Sequence, residues 1–309
     1  MKISAIPIRS AAWMLILALC VTCSRLALAH DGPEHDIEEL TERIAKEGES
    51  ADLLLQRAIE YQVIRKNGEA VKDLERAIEL EPGSPAIQRE LGRAYFSTGK
   101  TNEALRVVTR GIDAEPKGAD LGSLLIVRAE VLHERKDNKK ALEDANDAIQ
   151  AHPNNVEWYL FRSQLQYALK LKAERVTGLE AGIKQTGSGV LHREWVDALI
   201  EDGQHATALE KIETEINSSR LRSSWLIRRA KVRKATGQAD AAKADLETAL
   251  KELNTRISSN SPDPSLLADR GLTYDLLGDK ETARKDYVSA RDKGFTEEWM
   301  LERINALKK

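Results

Sequence analysis

From residue 51 onward the sequence repeats its own chemistry about every 34 residues. Segments aligned from Ala51, Pro85, Gly122, Val156, Gly189, Ser223 and Pro264 stand 34, 37, 34, 33, 34 and 41 residues apart, and the same places in each keep the same residue types. Place 8 is small as Ala58, Gly92, Ala129, Ser163, Ala230 and Gly271, with Val196 the departure. Place 20 is Ala70, Ala104, Ala141, Ala208, Ala242 and Ala283, with Arg175 the departure. Places 24 and 27 pair Leu74 with Ala77, Val108 with Gly111, Ala145 with Ala148, Leu246 with Ala249 and Tyr287 with Ala290. Proline closes three segments, at Pro82, Pro116 and Pro153. A period of this length marks a stack of small supersecondary units, each burying its apolar face only against its neighbours. It displaces the reading that length alone suggests, in which 309 residues make about two ordinary globular domains.

Within a segment the spacing fits two antiparallel helices. Residues that face each other across such a pair have place numbers with a nearly constant sum, and places 4 with 27, 8 with 24 and 11 with 20 give 31, 32 and 31. Small residues at 8, 20 and 27 let the backbones approach, while larger ones at 4, 11 and 24 fill the seam. Gly99, Gly203, Gly237 and Gly278 all fall at place 15, where the first helix needs a left-handed exit. A charged pair obeys the same rule. Arg57 with Asp73, Arg128 with Asp144, Arg229 with Asp245 and Arg270 with Asp286 each lie 16 apart, at places 7 and 23, which predicts an ion pair inside four segments. Arg162 has Gly178 opposite it instead. A charge at a helix seam is tolerated when paired and costly when alone, so these pairs read as structural rather than functional. Lys117–Leu121 and Asn254–Asp263 lengthen two junctions, after which Asp263 caps the last segment and Pro264 opens it. An acidic helix over Asp36–Lys46, in a leader at 30–50, and an amphipathic helix over Glu297–Leu307, in a terminal segment at 296–309, would cover the two ends of the array.

These places resemble the tetratricopeptide repeat, a helix-turn-helix unit with small residues at 8, 20 and 27, an aromatic at 11 and proline at 32. The resemblance spans 51–297 as about seven repeats. The aromatic is present as Tyr61, Tyr95 and Tyr274, whereas Leu132, Gln166, Leu199 and Arg233 hold that place elsewhere, which makes segments four to six the degenerate ones. The resemblance implies an all-α, right-handed α-solenoid superhelix with a C-terminal capping helix. It implies a concave groove, lined by the first helices at places 2, 5, 9 and 12, that holds a protein or peptide partner. Carried onto this sequence, those places give Arg89, Arg93, Glu130, His133, Leu160, Gln164, Tyr167, Arg193, Asp197, Lys231 and Lys234. Family members that grip a C-terminal carboxylate use a Lys and Asn set there; the first repeat has Leu55 and Ile59, which argues against that specificity.

Ahead of the array, Lys2 and Arg9 precede an apolar run from Ala11 to Cys23, and Ala27, Leu28 and Ala29 precede His30. This reads as a secretory signal peptide over 1–29. The run is 13 residues long, short of the ~20 that span a bilayer as a helix, so cleavage after Ala29 is expected rather than anchoring. The expectation is an exported protein, periplasmic or secreted, with no stable membrane span after cleavage. Leu19 before Cys20 and Thr22 before Cys23 do not suit a lipoprotein signal. Both cysteines lie in this segment, so the remainder forms no disulfide and offers no thiolate to a metal. Removing Lys2, Arg9 and Arg25 shifts the formal charge from -3 to -6, a mildly acidic balance that disfavours nucleic acid as a partner.

The search for chemistry returns little. Ala94–Thr101 fits a relaxed phosphate-loop pattern, but it lies inside the second repeat with Tyr95 at a core place and Gly99 at the inter-helix turn. No two of the six histidines share a helix face at three- or four-residue spacing, and no nucleophile elbow or thiol nucleophile is present outside 1–29. A non-enzyme without cofactors is expected. In segment four, Trp158, Tyr159, Phe161 and Tyr167 are four of thirteen aromatics after residue 29. Trp158 and Phe161 read as compensation inside the stack, leaving Leu160 and Tyr167 as the groove residues. The expected function is therefore an interaction scaffold or adaptor of the cell envelope. Two alternatives stay open: a metal-handling accessory using His30 and His35 at the new terminus, and a structural subunit of an envelope assembly docking through its convex face or ends.

Overall fold

The protein, a computed structural model, is described over residues 32–257 and 261–307; the leader at 1–29 and His30 lie outside them. Sixteen α-helices and no strand occupy the described residues, in two compact units divided between His152 and Pro153. In the first unit α1 (Gly32–Glu47) precedes three hairpins: α2 (Ala51–Val63) with α3 (Asn67–Leu80), α4 (Pro85–Ser97) with α5 (Thr101–Asp113), and α6 (Gly118–Glu134) with α7 (Asn138–Ala151). The second unit has four: α8 (Val156–Ala168) with α9 (Lys172–Thr186), α10 (Gly189–Glu201) with α11 (His205–Ser218), α12 (Ser223–Ala235) with α13 (Ala239–Arg256), and α14 (Pro264–Leu277) with α15 (Lys280–Asp292). It closes with α16 (Glu298–Ala306). Within each unit the two helices of a hairpin pack together, the second helix packs on the first helix of the next hairpin, and successive first helices touch.

The small residues explain this packing. The alanines at places 8 and 20 are at most 1% exposed, so each hairpin closes at the distance a methyl allows. At Gly271 even that methyl is excluded, because a Cβ would come 2.8 Å from the Tyr287 ring at place 24. In the first unit Leu54, Leu74, Ile87, Leu91, Val108 and Leu124 fill the space between helices. In the second, Leu246, Leu253, Leu267 and Tyr287 do so, and α16 adds Met300 and Ile304. Trp299 meets Tyr287 edge-on at 6.0 Å.

The turns are built from main chain. Each first helix ends with place 15 at positive φ: Gly99, Gly203, Gly237 and Gly278 as expected, but also Arg65, Lys136 and Lys170 at 60–65°. In all seven the N–H of place 16 donates to the carbonyl of place 11, at 2.8–3.0 Å. This is the bond that satisfies an orphan carbonyl at a helix end. It uses no side chain, so the segments that lack the place-11 aromatic turn in the same way.

First helices begin at Ala51, Pro85, Val156, Gly189, Ser223 and Pro264, the starts given by the spacing, with Ser50, Asn155 and Asp263 capping α2, α8 and α14 through their side chains. The third departs. Its helix starts at Gly118 rather than Gly122, so Gly118 to Leu121 of the lengthened junction form an extra turn, entered through Gly118 at positive φ and with Asp120 suited to the first turn. In the same way α13 runs on to Arg256, taking in the start of the second lengthened junction. The leading helix is longer than Asp36–Lys46, starting at Gly32, with Leu40 buried and Ile44 packed on the core. His35 is exposed on it.

Candidate functional site

The side chains at places 7 and 23 meet in a repeated geometry. Arg57 donates from Nε and Nη2 to the two oxygens of Asp73 at 2.7 and 2.8 Å, and Arg128 does the same to Asp144 at 2.7 Å. Arg229 reaches Asp245 at 3.0 and 2.6 Å, and Arg270 reaches Asp286 at 2.7 Å. The aspartates are buried, and their hydrogen bonds hold each guanidinium above its ordinary pKa. Every donor pair points into a seam, where it joins the two helices of its own hairpin.

Arg162 shows what the seam does without a carboxylate. Its Nη2 donates to the Gly178 carbonyl at 2.7 Å, its guanidinium lies 5.1 Å from the Tyr159 ring, and its Nε is buried without a hydrogen-bond partner. Burial pushes its pKa below the usual value. Gly178→Asp would restore the missing carboxylate; its Cβ would stand 2.9 Å from the movable end of Arg162. Removing an interior helix glycine and pairing a buried cation should together add about 1–2 kcal/mol. Urea unfolding of the variant reads this directly, and a midpoint that stays put or falls refutes it.

The first-helix face carries the residues expected to line a groove. In the first unit Arg89 donates to Glu90 at 2.7 Å and Arg93 stands 3.7 Å from it, so both cations are tied to a buried carboxylate that the spacing did not single out. His133 bonds Asn138 through Nδ1 at 2.7 Å, and Glu130 is half-buried beside it on α6. Ile59 and Val63 of α2 are exposed.

The second unit is built differently. Arg175 takes the place that alanine fills in the other six segments, and it is buried. Its Nε donates to Ser163 Oγ at 2.9 Å, Nη1 to Glu201 at 2.5 Å and Nη2 to Glu194 at 2.5 Å, with the Tyr167 ring 5.2 Å away. Desolvation pulls the Arg175 pKa down, but the two glutamates outweigh it and hold it up. Two repeats on from Arg175, Arg228 donates from Nε and Nη2 to Asp197 at 3.0 and 2.5 Å, with Lys231 3.6 Å from the same carboxylate. Burial pushes Asp197 up, and Arg228 and Lys231 more than reverse it. On α14 Asp269 lies near both cations, yet burial still raises it to about 6. The result is a ladder of alternating charge on α10, α12 and α14.

Of the expected groove residues in this unit, Asp197 and Lys231 join the ladder, Arg193 is exposed beside it, Gln164 is exposed and Leu160 is half-buried on α8. Lys234 is committed to the Leu276 carbonyl at 2.7 Å, so its ammonium is held by the protein's own backbone. Trp158 and Tyr159 are buried, and Tyr167 is 41% exposed. Missed by the reading of places 2, 5, 9 and 12 were Arg175, Glu194, Glu201, Arg228 and Asp269. The signal for three of them was place 6, which is charged as Glu90, Glu194, Arg228 and Asp269.

Comparison with known proteins agrees with the architecture. Residues 65–125 match the tetratricopeptide repeat family model. RNA polymerase II-associated protein 3 of Xenopus tropicalis is 32% identical over 96 residues, which are 31% of this chain and 14% of that protein; the Xenopus laevis protein is 33% identical over 96 residues. This chain thus covers only about a seventh of the relatives it matches. Among solved structures, a tetratricopeptide repeat protein from Parabacteroides merdae superposes with a TM-score of 0.58 at 21% identity, over 84% of this chain and 99% of that one. PilF of Pseudomonas aeruginosa superposes with 0.51 at 15% identity, over 65% of this chain and 90% of that one. At these identities the likeness is one of fold: the chain is an all-helical stack of tetratricopeptide-like hairpins.

Proposed function

We propose that this stack is a non-catalytic interaction scaffold, exported to the cell envelope, which holds a peptide or protein partner on the face formed by its first helices. One observation carries the reading. Five large hydrophobic residues are exposed among the described residues, and four of them, Ile59, Val63, Tyr167 and Val190, sit on first helices at places 9, 13, 12 and 2. Chance would scatter them over both helices of the hairpins; Leu80 is the one on a second helix. Exposed aliphatic and aromatic groups set among fixed charges are what a partner-binding surface needs. The leader at 1–29 supports the envelope setting.

The test is site-specific crosslinking in the native compartment. A photoreactive residue placed at Tyr167 or Val190 should join the protein to a partner, and the same residue at Leu80 should not. Crosslinks at Leu80 alone would move the binding surface to the second helices and replace a gripping scaffold by a structural subunit. Recovery of the crosslinked chain with His30 as its first residue is the expected result for the envelope setting, and an intact residue 1 removes it.

A further inference from the structure

The first unit offers a more specific surface, and its argument rests on the scaffold reading above. Leu55, Ile59 and Val63 follow one another at four-residue spacing, which puts them in line on one side of α2. Leu55 is packed on the core, Ile59 is 37% exposed and Val63 is 61% exposed, so the line emerges into solvent along the helix. Beside it, between α1 and α2, opens a crevice of about 270 Å³. Its lining includes Leu40 and Ile59 as aliphatic walls, and Asp36, Glu39, Glu60 and Arg43 as charged groups. Arg43 also stands 3.5 Å from Glu47, outside this set. Three carboxylates against one guanidinium leave the crevice negative, whereas the ladder of the second unit alternates in sign.

Size and charge together choose the occupant. At about 270 Å³ the crevice has room for one long side chain. A side chain with an aliphatic stem and a cationic head matches aliphatic walls under carboxylates: the stem lies on Leu40 and Ile59, and the head stays at the acidic opening. The exposed line at Ile59 and Val63 then takes an apolar neighbour from the same chain. We propose that the α1–α2 crevice and the Ile59–Val63 line form a docking site for a peptide that carries a lysine or arginine next to an aliphatic residue.

The probes are three fluorescein-labelled, alanine-rich helical peptides: one with lysine and leucine one turn apart, one with glutamate for the lysine, and one with serine for the leucine. Fluorescence anisotropy is measured with the full chain. The lysine–leucine peptide should bind, weaken with added salt, and bind at least about tenfold more tightly than either of the others. The Asp36→Asn, Glu39→Gln, Glu60→Gln variant and the Ile59→Ser, Val63→Ser variant should each lose about tenfold or more, with circular dichroism unchanged. A Glu39→Lys, Glu60→Lys variant should turn the preference toward the glutamate peptide, which a merely structural role for these residues would not do. Equal binding of the lysine and glutamate peptides, no binding of any of them, or binding that ignores both sets of substitutions overturns the proposal. Crosslinking through Tyr167 or Val190 persists in that event if the scaffold reading holds, so the two fail separately.

Discussion

Asp245→Ala should cost the protein about 3–5 kcal/mol, the loss that follows when one partner of a buried ion pair is removed. Asp245 is 4% exposed and receives three donors, Nε and Nη2 of Arg229 and Nη1 of Arg233, the last at 2.7 Å. Taking it away leaves two guanidinium groups in the α12–α13 seam. Glu213, at 2.9 Å from Arg229, remains, but it is half exposed and screened by solvent. Against a total stability of about 5–15 kcal/mol, the loss should bring the melting of the second unit down by many degrees. The diagnostic companion replaces charge by volume: Asp245→Leu with Arg229→Met and Arg233→Met should recover most of the lost stability, because an apolar trio leaves no unpaired charge. Thermal and urea unfolding followed by helicity measure both. A loss below about 1 kcal/mol in Asp245→Ala would mean that the pair behaves as an ordinary surface contact.

The second large effect has the opposite sign. Asp269→Asn should stabilise the protein at pH 8, because burial raises the Asp269 carboxyl from 3.8 to about 6 although Arg228, Lys231 and Arg193 act to lower it. Asp197 pushes it further upward. A carboxyl that holds its proton more tightly when folded favours folding fully below the unfolded value. That contribution fades as pH rises through the folded value, and above it the charged group opposes folding. Two pH units correspond to at most about 3 kcal/mol, and partial access of solvent trims this to about 1–2. Asparagine keeps the shape and removes the ionisation. Its advantage should therefore be largest at pH 8, shrink between pH 6 and pH 4, and vanish below pH 4. A variant that is less stable at pH 8 would show that Asp269 serves Arg228 and Lys231 as a needed counter-charge rather than burdening the ladder.

The hairpins were legible in the sequence because their physics is periodic. A methyl group at place 8 or 20 sets the distance between two backbones, and the arginine–aspartate spacing of 16 is the same geometric rule applied to charge. The lengthened junction at Lys117–Leu121 was misjudged because insertion length says nothing about conformation; Gly118 takes the positive φ that lets the chain wind into α6 four residues early. The face was harder to read. Lys234 stands at an inner place, but its reach to the Leu276 carbonyl depends on the next repeat, which spacing within one segment does not encode. Arg175 was visible as the departure from alanine at place 20, yet its consequence, a guanidinium tying α9 to the α10 end of the charged ladder, depends on long side chains crossing between hairpins. Small residues fix neighbours one contact away; arginine reaches groups that only the assembled stack brings near.

Every first helix ends on an amide-to-carbonyl bond between places 16 and 11, with place 15 wound left-handed whether it is glycine, lysine or arginine. A hairpin that shuts with peptide groups tolerates substitution at its tip, so descendants of a duplicated copy are free to drift there while their corners stay sharp. Shape then outlasts spelling: a solved structure that shares one residue in five superposes at 0.58.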